Sequence, residues 1–366
     1  MKFAINREAL LGSLQQIVSV IEKRQTMPIL SNVLLVIENE QLTMTGTDLE
    51  VQLIAKLDLP NSTSGAITVP ARKFLDICRL LPAGSEIRFE QNEDKVKITS
   101  NRSRFSLNCL PADNYPEFAE GELENQFVIN AGQFKRALDK TTFCMANQDV
   151  RYYLNGLLLH ISNSKLELVA SDGHRLSIYE DQLEIATGFE ARIILPRKGV
   201  LELNKLLDDN DVELKIEFSN SSIRIYIKHQ IFSAKLVDSK YPDFSKVFQQ
   251  AFLNPLEIEK AELKNSLTRV AILSNEKFKG VTFDIDTERL KISTHNPEHD
   301  EAEEELVILY DDEPLSISFN AQYLSEAVSN LDSDTALLTI ASDASSCFIN
   351  EPDNDKYKFI VMAMRL

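Results

Sequence analysis

The feature that most constrains this chain is an internal repeat with a period of about 125 residues. A period that long is too great for a solenoid unit and signals duplicated domains. Each copy opens on a short apolar strand followed by an amphipathic helix. The first reads Phe3-Ala4-Ile5, then Leu10, Leu14, Ile17, Val18 and Ile21. The second reads Phe127-Val128-Ile129, then Phe134, Leu138 and Thr141; the third reads Leu256-Glu257-Ile258, then Leu263, Leu267 and Val270. Spacings of three and four place these side chains on one helical face.

Paired strands follow in each copy. Val33–Ile37 with Leu42–Thr45, Leu157–Ile161 with Leu166–Ala170, and Val281–Ile285 with Leu290–Ser293 each flank a polar turn, as hairpins do. The first two copies then share a small-residue–Asp pair, Thr47-Asp48 and Ser171-Asp172. A second helix begins near Pro70, Pro196 and Asn320, and alternating strands return after it. Two copies end alike, at Leu110–Phe118 and Leu236–Phe244. The pattern predicts three repeated α+β domains, 1–124, 125–251 and 252–366, each with two helices packed on antiparallel sheets of about eight strands. Helices are expected over 7–24, 71–81, 133–144, 197–207, 262–273 and 321–331.

Charge follows these elements. The chain carries 39 Lys+Arg against 56 Asp+Glu, a net charge of −17, which argues against an adhesive coat for nucleic acid. The six predicted helices together carry +7, leaving −24 for the rest. Five of six helices lean basic, so a shared cationic surface is the better account than six independently solvated helices. Such a surface, without interleaved aromatics, suits phosphate contact without base readout. A purely structural acidic scaffold explains the total but not this distribution.

Other classes find little support. Cys78, Cys109, Cys144 and Cys347 lie far apart and form no CxxC pair, which reads as reduced, buried thiols. No long apolar stretch follows the N-terminus, so neither a signal peptide nor a membrane span is expected and the chain reads as cytoplasmic. Asp172-Gly173-His174-Arg175 resembles chemistry, yet no GxSxG, HExxH or P-loop accompanies it; a turn or binding pocket is the better reading than catalysis. His295 and His299 sit in an acidic segment that reads as a loop. No enzyme activity, metal or cofactor is expected.

The chain resembles the bacterial sliding clamps, the beta subunits of replicative DNA polymerase III, over its whole length. The resemblance rests on Pro28-Ile29-Leu30, Thr45-Gly-Thr-Asp48, Val69-Pro-Ala-Arg-Lys73, Arg102-Ser-Arg-Phe-Ser106, Gln148-Asp-Val-Arg-Tyr-Tyr-Leu-Asn-Gly156, Asp172-Gly-His-Arg175, Pro196-Arg-Lys-Gly199, Ala271-Ile-Leu-Ser-Asn-Glu-Lys-Phe278 and Met364-Arg-Leu366. It implies a head-to-tail homodimer closed into a ring around duplex DNA, acting as a processivity factor. By the resemblance, Arg24, Arg72, Gln148, Tyr152, Tyr153, Arg197 and Lys198 face DNA, with Tyr152 equally readable as a packing residue.

The resemblance also implies a dimer interface and a partner site. For the interface it points to Lys73, Arg102, Arg104, Phe105 and Leu107 at one end, against Ile272, Leu273, Glu298, Glu301, Glu303 and Glu304 at the other. For hydrophobic peptides of polymerase, clamp loader and repair proteins it points to Leu154, Ser171, Gly173, His174, Arg175, Leu176, Pro242, Lys246, Val247, Phe278, Asn320, Tyr323, Ala344, Ser346, Ile360, Val361, Met362, Met364 and Arg365. Ala363, Lys246, Ser171 and Ala344 depart from the family's usual Pro, Arg, Thr and Val there. Lys246 cannot reproduce a planar guanidinium contact.

Overall fold

The structure, a computed structural model, describes residues 1–22, 27–119, 121–184, 188–208, 210–248 and 251–365, without the Lys246 side chain. The first repeat contains β1 (Lys2–Asn6), α1 (Arg7–Val20), β2 (Asn32–Glu38), β3 (Gln41–Thr47), β4 (Val51–Asp58), β5 (Gly65–Pro70), α2 (Ala71–Leu80), β6 (Glu86–Asn92), β7 (Lys95–Ser100) and β8 (Ser103–Asn108). The second contains β9 (Asn125–Asn130), α3 (Ala131–Thr141), β10 (Gly156–Ser162), β11 (Lys165–Ser171), β12 (Arg175–Gln182), β13 (Glu190–Pro196), α4 (Arg197–Leu206), β14 (Glu213–Phe218), β15 (Ser222–Ile227) and β16 (Gln230–Lys235). The third contains β17 (Leu256–Glu259), α5 (Lys260–Val270), β18 (Gly280–Asp286), β19 (Arg289–His295), β20 (Glu301–Val307), β21 (Leu315–Asn320), α6 (Ala321–Ser329), β22 (Thr335–Ile340), β23 (Ser346–Glu351) and β24 (Asn354–Met362).

All six predicted helices form. α1 stops at Val20 rather than reaching residue 24, and residues 23–26 lie outside the described ones. Asn6 caps α1 by accepting the Glu8 N–H at 2.9 Å, and Leu10, Leu14, Ile17 and Val18 form its buried stripe. The stripe lies close on β3, where a Cβ on Gly46 would come within 2.8 Å of the Ile17 side chain. Helices α3 and α5 begin two residues earlier than their apolar periods, and each runs on into a short 3-10 turn.

The chain divides into two compact units, Met1–Lys135 with Lys198–Asp238 and Arg136–Arg197 with Ser239–Leu366. Each contains one eight-stranded and one four-stranded antiparallel sheet. The sheets explain why compact units do not follow the repeat. Each repeat makes two four-stranded halves, and halves of successive repeats fuse edge to edge. In the first unit β5-β2-β3-β4 continues into β16-β15-β14-β9; in the second β13-β10-β11-β12 continues into β24-β23-β22-β17. The seams are the antiparallel pairs β4–β16 and β12–β24. The remaining four-stranded sheets, β1-β6-β7-β8 and β20-β19-β18-β21, have β1 and β8, and β20 and β21, as their edge strands.

One expectation is corrected here. The acidic segment read as a loop is largely strand: Glu301–Val307 forms β20, paired along its length with β19. Among the described residues no helix is long and apolar enough to cross a membrane.

Candidate partner-binding and assembly sites

The turn between β11 and β12 organises the second unit. The Asp172 carboxylate accepts the N–H groups of His174 (2.9 Å) and Arg175 (3.0 Å), while the Ser171 hydroxyl donates to the Arg175 carbonyl at 2.7 Å. Gly173 sits at φ +87°, and a Cβ there would meet the Arg151 guanidinium at 2.8 Å. The same turn recurs in the first repeat, where Asp48 accepts the N–H groups of Glu50 and Val51, and Thr47 donates to the Val51 carbonyl. The Asp is therefore a turn-former in both copies, and among the described residues the His174 side chain makes no hydrogen bond to a nucleophile.

What distinguishes the second turn is the side chain it carries. The Arg175 guanidinium is largely buried, donates to Asp172 at 3.0 Å and to Glu326 on α6, and lies over the Tyr323 ring at 4.4 Å. Burial pulls the Glu326 carboxyl up, but hydrogen bonds from Arg175 and Gln322 outweigh it and leave the group below its ordinary range. His174 stacks against Tyr323 with ring centroids 6.4 Å apart. Asn320 caps α6 through the Gln322 and Tyr323 N–H groups and donates to the Phe278 carbonyl at 3.1 Å.

The C-terminal strand completes this surface. Met362 N–H donates to the His174 carbonyl at 2.8 Å, and Met364 N–H to the Ser318 carbonyl at 2.7 Å. Ser171, Gly173, His174, Arg175, Asn320, Tyr323, Phe278, Met362 and Met364 are thus linked by a few bonds. Phe278 is 51% exposed and Met362 is also exposed, so two apolar side chains face solvent beside this polar frame. Leu154, Leu176, Ser346, Ile360 and Val361 are buried beneath, as core residues would be. Pro242 and Arg365 are exposed; Val247 and Ala344 are half-buried, Ala344 at φ +55°. The Lys246 side chain lies outside the described residues.

The residues assigned to DNA fall into two groups. Arg197 on α4 donates to the Met145 carbonyl at 2.8 Å and through its N–H to Asn155, pinning the loop that presents Gln148, Tyr152 and Tyr153. Burial holds its guanidinium below the ordinary value. Tyr152 is 75% exposed, whereas Tyr153 packs edge-on against the buried Tyr241. In the first unit Arg72 is exposed and donates to the Ile21 carbonyl, while Lys198 is held by Asp48 and by Glu22 at 2.9 Å. Arg24 lies outside the described residues.

Several of the helix cations are already engaged, so the formal sum of +7 overstates the positive charge free to meet a partner. Arg7 donates to the Cys78 and Arg79 carbonyls at the end of α2, and Lys140 to the Asn330 carbonyl and Asp332, just after α6. Unsatisfied carbonyls at helix ends attract such cations. Arg269 binds Glu304 at 2.6 Å and Lys205 binds Glu202 at 2.8 Å. Arg72, Lys73 and Lys264 remain exposed with no ion pair among the described residues.

The proposed interface residues lie on or near β8 and β20, the edge strands equivalent to those joined at the internal seams. β8 carries exposed Arg104, half-buried Phe105 and buried Leu107, with exposed Arg102 in the turn before it and exposed Lys73 on α2. At the other edge Ile272 is 76% exposed and Leu273 half-buried. Within the acidic edge, Glu303 binds Lys291 at 2.7 Å and Glu304 binds Arg269, each hydrogen bond lowering the carboxyl below its ordinary range. Exposed Glu298 and Glu301 carry no ion pair among the described residues.

Family models for the N-terminal, central and C-terminal domains of the DNA polymerase III beta subunit match residues 1–119, 128–243 and 245–365. The chain belongs to the beta sliding clamp family. Beta sliding clamps of Pseudomonas aeruginosa, Vibrio cholerae and Escherichia coli are 42%, 41% and 40% identical to it, each over all of both chains. A solved Pseudomonas aeruginosa sliding clamp superimposes with a TM-score of 0.96 at 42% identity, and one from Caulobacter crescentus with 0.94 at 32%, both over the full length of each chain. The fold is accordingly three clamp domains of two helices on antiparallel sheets, and the chain is a non-catalytic processivity factor of DNA polymerase III.

Sequence reasoning missed Leu80, which ends α2 and is 85% exposed. Its counterpart in the second repeat, Leu206, is 7% exposed. The alignment Val69-Pro70-Ala71 against Leu195-Pro196-Arg197 equates two leucines and so predicts equal burial for both; the local sequence carries no signal that Leu80 is exposed.

Proposed function

We propose that two copies of the chain close head to tail into a ring around duplex DNA, with β8 of one adding to β20 of the other. One observation carries this reading: the chain makes the equivalent join twice within itself, at β4–β16 and β12–β24, and among the described residues is left with one free edge of each kind, β8 and β20. Unpaired edges invite strand addition, and a join between different edges generates rings when the rotation closes.

The register follows from the repeat. Ala55 faces Met44 in the β3–β4 hairpin, as Glu304 faces Ile292 in β19–β20. Gln230 closes the β15–β16 hairpin as Ser103 closes β7–β8. Ala55 pairs with Gln230, so Ser103 is expected opposite Glu304, Arg104 opposite Glu303 and Phe105 opposite Ala302. Glu303 and Glu304 already have cations of their own, so Glu298 and Glu301 remain the free acids for Lys73, Arg102 and Arg104. Ile272, Leu273, Phe105 and Leu107 supply the apolar contact, and the charges select orientation.

On the DNA side, Arg72 and the loop bearing Gln148, Tyr152 and Tyr153 offer loose contact with phosphate that permits sliding, backed by Arg24, Arg197 and Lys198. Enclosure rather than affinity retains the DNA. The surface framed by His174, Tyr323, Phe278 and Met362 receives short hydrophobic peptides of polymerase, clamp loader and repair proteins, with methionines adapting to different anchors. We place the assembly in the cytoplasm and divide each subunit at 124/125 and 251/252.

The test combines Arg102→Glu and Arg104→Glu in sedimentation with loading on nicked circular against linear DNA. The double variant is expected to dissociate at concentrations where the parent is dimeric, and the parent to stay on circles while running off linear ends. An unchanged dimer at low protein concentration overturns the interface; equal release from both DNAs overturns the ring.

A further inference from the structure

The two internal joins share one backbone solution but not one filling. At the β12–β24 seam Tyr179 faces Tyr357, and the Lys140 ammonium lies 4.3 Å from the centre of the Tyr357 ring. The Tyr357 hydroxyl accepts the Asp332 N–H at 3.0 Å, and Tyr179 donates to Asp181 at 3.0 Å. Both rings are almost wholly buried. At the β4–β16 seam, 124 positions earlier for the first of these residues, Ala55 faces Gln230. Gln16 on α1 takes the place of Lys140 on α3, and its side chain is bonded to Gln230. Two tyrosines and a lysine have become an alanine and two glutamines.

A cavity of about 190 Å³ lies there, within the first unit. Ala55, Leu57, Leu206, Val212, Leu214 and Ile227 form its apolar walls, and Gln16, Gln230, Asp208 and Asn210 give it polar groups. Asp208 follows Leu207 as Asp332, beside the Tyr357 hydroxyl, follows Leu331. An enclosed apolar cavity of about 150 Å³ is enough to bind benzene; this one is of similar volume and open to solvent on one side. The shape that the second seam fills with its own phenol rings is therefore open in the first, beside the Gln16–Gln230 amide pair and the Asp208 carboxylate, which lies 3.6 Å from the Lys228 ammonium that also lines the cavity.

We propose that this cavity is a binding site for small phenols, compounds of one aromatic ring carrying a hydroxyl. The ring lies against Ala55, in the space taken by the Tyr179 and Tyr357 rings at the other seam, and the hydroxyl meets the polar side lined by Asp208 and Gln230. The site is separate from the surface proposed for partner peptides and does not depend on that reading.

The test is a titration of the full-length protein with p-cresol and 4-hydroxybenzamide, followed by ligand-observed NMR and by melting temperature. Saturable binding and a ligand-dependent rise in melting temperature are expected. Ala55→Tyr and, separately, Gln230→Tyr rebuild the filling of the second seam, and each should weaken binding at least tenfold while melting no lower than the parent. If one variant misfolds, the other still decides. Absence of saturable binding up to the solubility of both phenols overturns the proposal. Binding that survives in a folded variant with Ala55→Tyr or Gln230→Tyr overturns it equally, because the ligand then sits elsewhere.

Discussion

Replacing Arg175 with alanine isolates the interaction on which the second unit's turn depends. The guanidinium is the shared partner of Asp172, at 3.0 Å, and Glu326, and it covers the Tyr323 ring. Removing one member of a buried pair costs about 3–5 kcal/mol, because a carboxylate stays buried without its cation. Glu326 retains about a third of its exposure, so water recovers part of that. We therefore expect a loss of roughly 2–4 kcal/mol at neutral pH, read from urea unfolding followed by circular dichroism. The sign of the pH dependence is fixed by Glu326. Its folded pKa lies below the unfolded value, so its share of the stability is present above about 4.5 and lost as pH falls through the lowered folded value. The gap between parent and Arg175→Ala should narrow at pH 3.5 relative to pH 7. Adding Glu326→Gln to Arg175→Ala should restore part of the loss, since the orphaned charge is gone. A loss under about 1 kcal/mol at pH 7, or a gap unchanged at pH 3.5, would refute this account.

Gly173→Ala should destabilise by about 1–2 kcal/mol, through the left-handed φ of +87° and the Arg151 guanidinium 2.8 Å from the new methyl, and should weaken partner-peptide binding in fluorescence titration. Leu80→Arg, at an 85% exposed leucine on the helix that carries Lys73, should leave the melting of the isolated subunit unchanged while weakening the proposed dimer about tenfold or more in sedimentation, because fully burying a leucine side chain is worth about 1.5–3 kcal/mol. Deleting the last five residues removes Met362 and Met364 with their bonds to His174 and Ser318, and should abolish peptide binding while leaving the dimer intact by sedimentation. All four cysteines are buried, and burial pushes the Cys78 thiol up to about 12 and Cys109 up to about 11. A thiol-reactive chromophore at pH 8 should find none within minutes in the folded protein and four in denaturant.

The helices and hairpins were legible because their own side chains carry the burial pattern. Leu10, Leu14, Ile17 and Val18 declare α1 without help from the rest of the chain. β20 was not legible for the opposite reason: of Glu301–Val307 only Leu306 is buried, so its strand character comes from pairing with β19 rather than from its own composition. The Asp172 motif was legible as a turn, and its twin at Asp48 shows how little chemistry the Asp itself implies. What the motif could not reveal is that Arg175 reaches Glu326, 151 residues away. The cation count was misleading in the same way. Arg7 and Lys140 are spent on helix-end carbonyls that no local pattern announces.

The position where the two internal seams differ also bears on the proposed join between copies. Counterparts of Ala55, Gln230 and Gln16 at the first seam are Tyr179, Tyr357 and Lys140 at the second, and Glu304, Ser103 and Arg269 at the free edges. The two internal seams thus carry a cavity and a packed aromatic pair on one backbone arrangement, and the matching positions at the free edges carry an ion pair within the subunit. A seam within one chain closes intramolecularly, at an effective concentration set by the connecting chain, and tolerates an imperfect filling. A seam between separate chains has no such help and must also reject the wrong edge. Charge at the free edges answers that second need, because like edges then repel while unlike edges attract. The same choice predicts that the proposed inter-copy seam weakens with salt, which screens exposed pairs but not the packed tyrosines of the internal seam.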